Sequence, residues 1–576
     1  MRGHVQRVRR LWCDLVVTPR GLDAHCRQRR EVIAVDQVVG DARMVRVLFR
    51  LLIKDRCRLK LLGEQLDRAY AGAVTEEGKE RTADSNWFFY QRLIEACVQT
   101  SRLREAFLRA EEGSSRSLRD ELARVSLPAP GLPKPLVAEE SALLERLRVI
   151  DLTLRATDDT DGRAQLINEF RTVQERISAI WQEMESHPEA APYLQLRRGE
   201  RLGWDQLQGW FSEQPQPSAF VEFLDLGTRW IALVVTTGDA EPRVVELDLP
   251  EPLLLELVTN YTTALSEGRE VAGSAAAELA NRLLVPLAAH LSDIPVVCFI
   301  PQGLLHHVPL HALAYQSGPL AESVVVHYAP SAAVAIRRKE GPWPGLRASN
   351  LVTVGNPTGD LPFADLEATS IARRFSCSPL IGDAASAPRV SAELARADAA
   401  HIAAHAWFDW GDPLASGILL AGNTVFNARD AMSQKLRLRL LVLSACSTGQ
   451  QMVSVGNSLA GLARGFLYAG VQQLVLSLWP VNDMSTMLLM DEFYASLDQG
   501  LAVGEALRRA QSYLRNATNE VIVARLVAER RRPSAERILD DEQVSALWRR
   551  FVLQDPTLRP FEHPHHWAPF FVTGSL

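Results

Sequence analysis

LRLLVLSAC at 438–446 is an almost unbroken apolar run that stops at a cysteine and gives way to Ser447-Thr448-Gly449. A run this short, rich in Leu and Val and bounded by small turn-forming residues, is the pattern of a strand buried on both faces. The pattern recurs outward along the chain: PVVCFI (295–300), SVVVHYA (323–329), NLVTVGNP (350–357), AAHIAAHA (399–406) and QQLVLSLWP (472–480). Helix-like stretches fall between or after these runs, at Asp365–Phe375, Ser391–Ala397, Leu459–Ala469 and Thr486–Leu497. Such alternation predicts an α/β fold with a mostly parallel sheet flanked by helices. In sheets of this kind, functional groups collect where strands end at their carboxyl termini. His405 closes one run and Cys446 another, so an imidazole and a thiol are expected at the same edge.

Upstream the period changes. AFVEFLDL, RWIALVVTTG and RVVELDL are short β-rich segments that predict an antiparallel meander over 219–248. Before it, up to about Trp210, apolar residues recur at three- and four-residue spacing, as in Met44, Leu48, Leu51 and Leu52 or Leu143, Leu144 and Leu147. That is helical text, so an all-α N-terminal region is expected over 1–213, followed by an α/β domain over 219–576. Proline-rich breaks at Leu127–Pro135 and Gln214–Ser218 serve as linkers, because proline removes a backbone donor and stops helices. Ala106, Phe107 and Ala110 share one helix face and leave room for a neighbouring helix. The segment from Ser101 resembles the last repeat of a tetratricopeptide array, with a generic helical bundle as the equal alternative.

A chain of 576 residues exceeds the usual single core, and 47% apolar with 23% charged residues is ordinary globular composition. The net charge of −6 does not indicate a nucleic-acid partner, and the basic surplus before Lys60 reads as a solvated helix face. Seven scattered cysteines without a CxxC pair indicate neither a disulfide framework nor a zinc site. With no signal-like or membrane-length apolar segment, the expectation is a cytoplasmic protein with no membrane partner.

A thiol attacks a carbonyl as thiolate, and a neighbouring imidazole relays the protons. The turn residues after each strand, Ser447-Thr448-Gly449 and Asp412-Pro413 to Ser416-Gly417, leave space for a substrate backbone. The backbone N–H groups of Cys446 and of Ala406 are the expected donors to an oxyanion.

These residues carry a family resemblance. Pro301-Gln302-Gly303-Leu304 with Val308-Pro309-Leu310, Leu366-Glu367-Ala368, His401-Ile-Ala-Ala-His405, Leu443-Ser444-Ala445-Cys446-Ser-Thr-Gly449, Leu462-Ala463-Arg464-Gly465-Phe466, Leu478-Trp479-Pro480-Val481-Asn482-Asp483 and His563-Pro564-His-His-Trp567-Ala568 occur in one order. From about Ala219 onward the chain resembles the CHAT domain, a caspase-like family often attached to tetratricopeptide repeats. The resemblance implies a cysteine endopeptidase with Cys446 as nucleophile and His405 as the acid that protonates the leaving amine, with no cofactor or metal. The chain departs from the family at Ala406, where glycine is usual. Asp483 resembles a separase aspartate that meets a basic side chain before the scissile bond, which implies substrate binding; the alternative is a helix cap.

The implied partners are a protein substrate and a regulatory protein or ligand at the helical region, in a bacterial defence or cell-death pathway. A non-catalytic signalling scaffold and an acyl transferase are the rival readings. His306, His307 and His311 read as satisfied loop histidines, His563, His565 and His566 as packing residues, and Gly355–Gly359 is too short for a phosphate loop.

Overall fold

The strand-like runs pair into one eleven-stranded sheet in a computed structural model that describes residues 90–576. Outside the described residues are 1–89, 123–131, 157–159, 188–189, 191–192, 195–201, 270–272, 338–344, 349, 408–414, 433, 435, 446–457, 480–482 and 532–540. The strands are β1 (Ser218–Asp225), β2 (Trp230–Thr236), β3 (Arg243–Leu247), β4 (Val296–Ile300), β5 (Val325–Tyr328), β6 (Leu351–Gly355), β7 (Leu380–Ile381), β8 (Ala399–Ala404), β9 (Leu440–Ala445), β10 (Gln473–Ser477) and β11 (Phe570–Gly574). Their order across the sheet is β3-β2-β1-β4-β5-β11-β10-β9-β8-β6-β7. The meander β1–β3 is antiparallel as expected, and β1 runs parallel to β4, which merges the meander into the main sheet. β11 is antiparallel to β10 and parallel to β5, standing between the two halves.

Each strand sends alternate residues to opposite layers, as the two-residue period of a strand requires. Ala219, Val221 and Phe223 of β1 enter one core, while Phe220 and Leu224 enter another. The same division holds at the other end, where Leu440 and Val442 of β9 face one way and Leu441 and Leu443 the other. Helices cover both faces. One layer includes α5 (Glu251–Ser266), α6 (Gly273–Leu283), α7 (Pro362–Arg374), α10 (Asp483–Asp498) and α11 (Val503–Asn516); α8 (Ala387–Leu394) and α9 (Ser458–Ala469) lie on the opposite face. The helix expected at Ser391–Ala397 begins earlier, since Ser386 and Pro388 set an N-terminus there.

The described N-terminal helices precede the sheet: residues 90–99, α1 (Leu103–Leu122), α2 (Lys134–Ala156), α3 (Thr160–Met184) and α4 (Trp204–Glu213). The face of Ala106, Phe107 and Ala110 is fully buried, but its neighbours include Phe220, Leu224 and Ile231 of the sheet, so it serves to cover strands rather than only a helix. The Glu111 carboxylate continues that contact. It accepts the N–H groups of Ala332 and Ala333, at 2.7 and 2.9 Å, at the start of the short helix Ala332–Ala335. All described residues belong to one compact unit, Tyr70–Leu576. No described helix is long and apolar enough to cross a membrane.

Candidate active site

The site region begins with register. β8 and β9 are parallel neighbours in register from Ala399 opposite Leu440 to Ala404 opposite Ala445. β10 lies parallel on the far side of β9, and β6 parallel on the far side of β8. Four carboxyl ends therefore point the same way. His405 follows β8 directly. Cys446 is the next residue after Ala445 and, with Ser447-Thr448-Gly449 and Asp412-Pro413, lies outside the described residues.

His405 is held by its backbone. Its carbonyl accepts the Leu419 N–H at 2.9 Å, and Ala406–Trp407 then pairs antiparallel with Gly417–Leu420, Ala406 opposite Ile418. Where the residue before takes such a bond, the next pair is a non-hydrogen-bonded one, so the Ala406 N–H faces away from this hairpin. The His405 ring is partly accessible and the Trp407 side chain is exposed beside it.

One ring nitrogen of His405 has a partner that sequence reading missed. Nε2 lies 3.1 and 3.0 Å from the two carboxylate oxygens of Asp360. Asp360 sits on the loop after β6, the strand paired with β8. The loop is braced: Asn356 at φ 47 donates its N–H to Ala403, accepts the Leu361 N–H on its side-chain oxygen at 2.7 Å, and donates its side-chain amide to Asp365. The Thr358 hydroxyl donates to Asp360; that bond first, and His405 second, hold the Asp360 carboxyl below the usual range. An exposed aspartate after Gly359 carries no distinctive signal in sequence; only the pairing of β6 with β8 brings it to the histidine.

Behind the rim, His401 on β8 is fully buried. Its Nδ1 meets the Tyr494 hydroxyl at 3.1 Å, and its Nε2 stands 3.1 Å from Glu367 Oε1 without hydrogen-bond alignment. The helix read at Asp365–Phe375 begins earlier, at Pro362, which places Glu367 in the second turn of α7, facing the sheet. Burial raises the Tyr494 phenol well above its ordinary value, with the Glu367 charge adding to it. This cluster joins β8, α7 and α10. Asp483 is the first residue of α10, after β10.

The other histidines divide. His311 is buried between the Tyr328 hydroxyl at 2.9 Å and the Ala568 carbonyl at 3.0 Å. His307 is buried and, among the described residues, neither ring nitrogen has a hydrogen-bond partner, unlike the satisfied loop histidine expected. His565 Nδ1 donates to the Leu265 carbonyl, 2.7 Å away. Among the described residues no cluster of three His, Cys, Asp or Glu side chains is arranged to hold a metal.

The model of the CHAT domain family matches residues 273–575, more than half of the chain and all the strands from β4 to β11. The chain belongs to the CHAT domain family. The CHAT match starts after the meander, although β1 pairs with β4 in the same sheet. Tetratricopeptide repeat protein 28 of Homo sapiens is 27% identical over a segment covering 30% of this CHAT protein and 9% of that one. The Mus musculus counterpart is 25% identical, covering 37% and 11%. The chain thus spans about a tenth of the length of these relatives. Among solved structures, the separase–securin complex of Saccharomyces cerevisiae has 10% identity and a TM-score of 0.37, covering 83% of this chain and 48% of that one. The Arg-specific cysteine proteinase gingipain R has 9% identity and a TM-score of 0.31, covering 56% and 73%, and the complex of the pro- and mature domains of Porphyromonas gingivalis RgpB has 11% identity and a TM-score of 0.28, covering 57% and 77%.

Proposed function

We propose that this CHAT protein is a caspase-like cysteine endopeptidase that cleaves a partner protein, with Cys446 as nucleophile and His405 as general acid. The carrying observation is the register Ala404–Ala445, the residues immediately before the histidine and the cysteine on adjacent parallel strands. Parallel neighbours are about 4.8 Å apart, a spacing compatible with cooperation between an imidazole and a thiol that leave the sheet together. In the proposed reaction the Cys446 thiolate forms a bond to the scissile carbonyl carbon. The Ala406 and Cys446 N–H groups stabilise the oxyanion, and collapse expels the amine, which takes a proton from His405. Water then attacks the thioester, gives up a proton through His405, and releases the acid and the thiol.

Asp483 is proposed to favour Arg or Lys before the scissile bond, its place at the head of α10 after β10 being the support. The helical region 1–213 is proposed to receive a regulatory protein or ligand and to gate the protease domain 219–576. Contact of α1 with the sheet supplies a path for differential binding to two states. The setting proposed is cytoplasmic, in a bacterial defence or cell-death pathway.

The test incubates the full chain with a proteome-derived peptide library and identifies new termini by mass spectrometry. Hydrolysis by wild type, abolished by Cys446→Ala and by His405→Ala with an unchanged thermal transition, is the expected result. Hydrolysis that survives Cys446→Ala rejects the mechanism, and cleavage indifferent to the preceding residue rejects the role of Asp483.

A further inference from the structure

We propose that Asp360 is a positioning residue that fixes the ring orientation and tautomer of His405, and this inference rests on the protease reading for its catalytic consequence. The geometry is specific. Both Asp360 oxygens lie within 3.1 Å of Nε2, and an ionised carboxylate can only accept, so Nε2 carries the proton and Nδ1 is the nitrogen assigned to proton transfer with the thiol.

The loop that carries Asp360 is built to hold it there. Asn356 spans it, taking the Leu361 N–H at 2.7 Å from one side and anchoring to Ala403 of β8 at 3.0 Å on the other. Gly359 donates back to the Asn356 carbonyl at 3.2 Å, and Thr358 holds the carboxylate itself. His405 is fixed independently through Leu419. The two partners are thus braced by separate backbone contacts, and each loses little freedom when the pair forms, which is the condition under which an orienting hydrogen bond contributes to rate. The carboxylate also stabilises the imidazolium that forms when His405 takes up a proton.

Asp360 is 64% exposed, and water weakens the pair. The expected loss is accordingly modest, far short of what removal of a buried partner gives. Asp360→Asn is expected to lower kcat about three- to ten-fold with KM unchanged, and Asp360→Glu to recover part of that loss. Unchanged kcat in Asp360→Asn, beside a dead His405→Ala, overturns the inference while the protease reading stands.

A second measurement is independent of turnover. In the Cys446→Ala full chain labelled with ¹⁵N-histidine, the His405 resonances, identified by their loss in His405→Gln, are expected to report the Nε2-protonated ring. They are expected to shift toward a mixture of tautomers in Asp360→Asn. His405 resonances identical in the two chains overturn the inference whether or not any peptide is cleaved.

Discussion

Gly355 shows how closely the residues around the site are fitted. A Cβ there would stand 2.6 Å from the Ala364 carbonyl oxygen and 2.8 Å from the Ala368 Cβ, so α7 touches β6 backbone to backbone. Gly355→Ala must push α7 outward, disturbing both Glu367 and the loop of Asp360. Overpacking of this kind costs about 1–3 kcal/mol, and urea denaturation is expected to show it, together with reduced turnover in the proposed hydrolysis. His311 makes a second prediction. Burial pushes its imidazole down to about 4, against the raising effect of its hydrogen bond to the Ala568 carbonyl. A group depressed in the folded state contributes stability that is present above its unfolded value near 6.5 and is lost as pH falls toward 4. Denaturation midpoints are expected to fall over that window, and to fall less steeply in His311→Gln, which starts from lower stability at neutral pH. Legibility differs at this scale for a physical reason. His405 and Cys446 stand out because each interrupts an apolar run, whereas Asp360 is one more polar residue in a turn. His307 defeats the expectation of satisfaction because whether a loop folds inward cannot be read from Leu305-His-His-Val308.

Between elements, the carboxyl of Glu111 on α1 clamps the short helix Ala332–Ala335. Burial first of all raises its carboxyl to about 7, against the lowering effect of the two backbone N–H groups. A raised acid favours the folded state most at low pH, so its contribution declines as pH climbs from about 4.5 through 7, opposite to that of His311. Thermal melts between pH 5 and 8 are expected to show a steeper decline in wild type than in Glu111→Gln, whose side chain does not ionise. Strand and helix types were readable in the α/β part because burial on both faces leaves long runs of Val, Ile, Leu and Ala. The docking of α1 was not. Ala106, Phe107 and Ala110 form an apolar stripe that fits a helix or a sheet equally well, and only the all-buried pattern of β1 and β2 shows which surface needed a cover.

For the whole molecule, that cover implies that the helical region and the sheet are not energetically separable. Phe220, Leu224, Ile231, Leu233 and Val235 share their core with Phe107, Trp204, Leu207 and Phe211. A chain beginning at residue 214 would uncover this layer, and it is expected to bind a hydrophobic dye and to sediment as aggregate where the full chain remains dispersed. The architecture as a class was legible from alternating strands and helices, while the strand order was not, since β11 comes last in sequence and sits near the middle. That position has a consequence for synthesis. Until residues 570–574 emerge from the ribosome, β5 and β10 have no strand between them, and the nascent chain carries two half-sheets with bare edges. Completion of the β8–β9–β10 rim as part of one continuous sheet therefore waits for Phe570–Gly574, and a message cut short before Phe570 yields a product prone to edge-to-edge association.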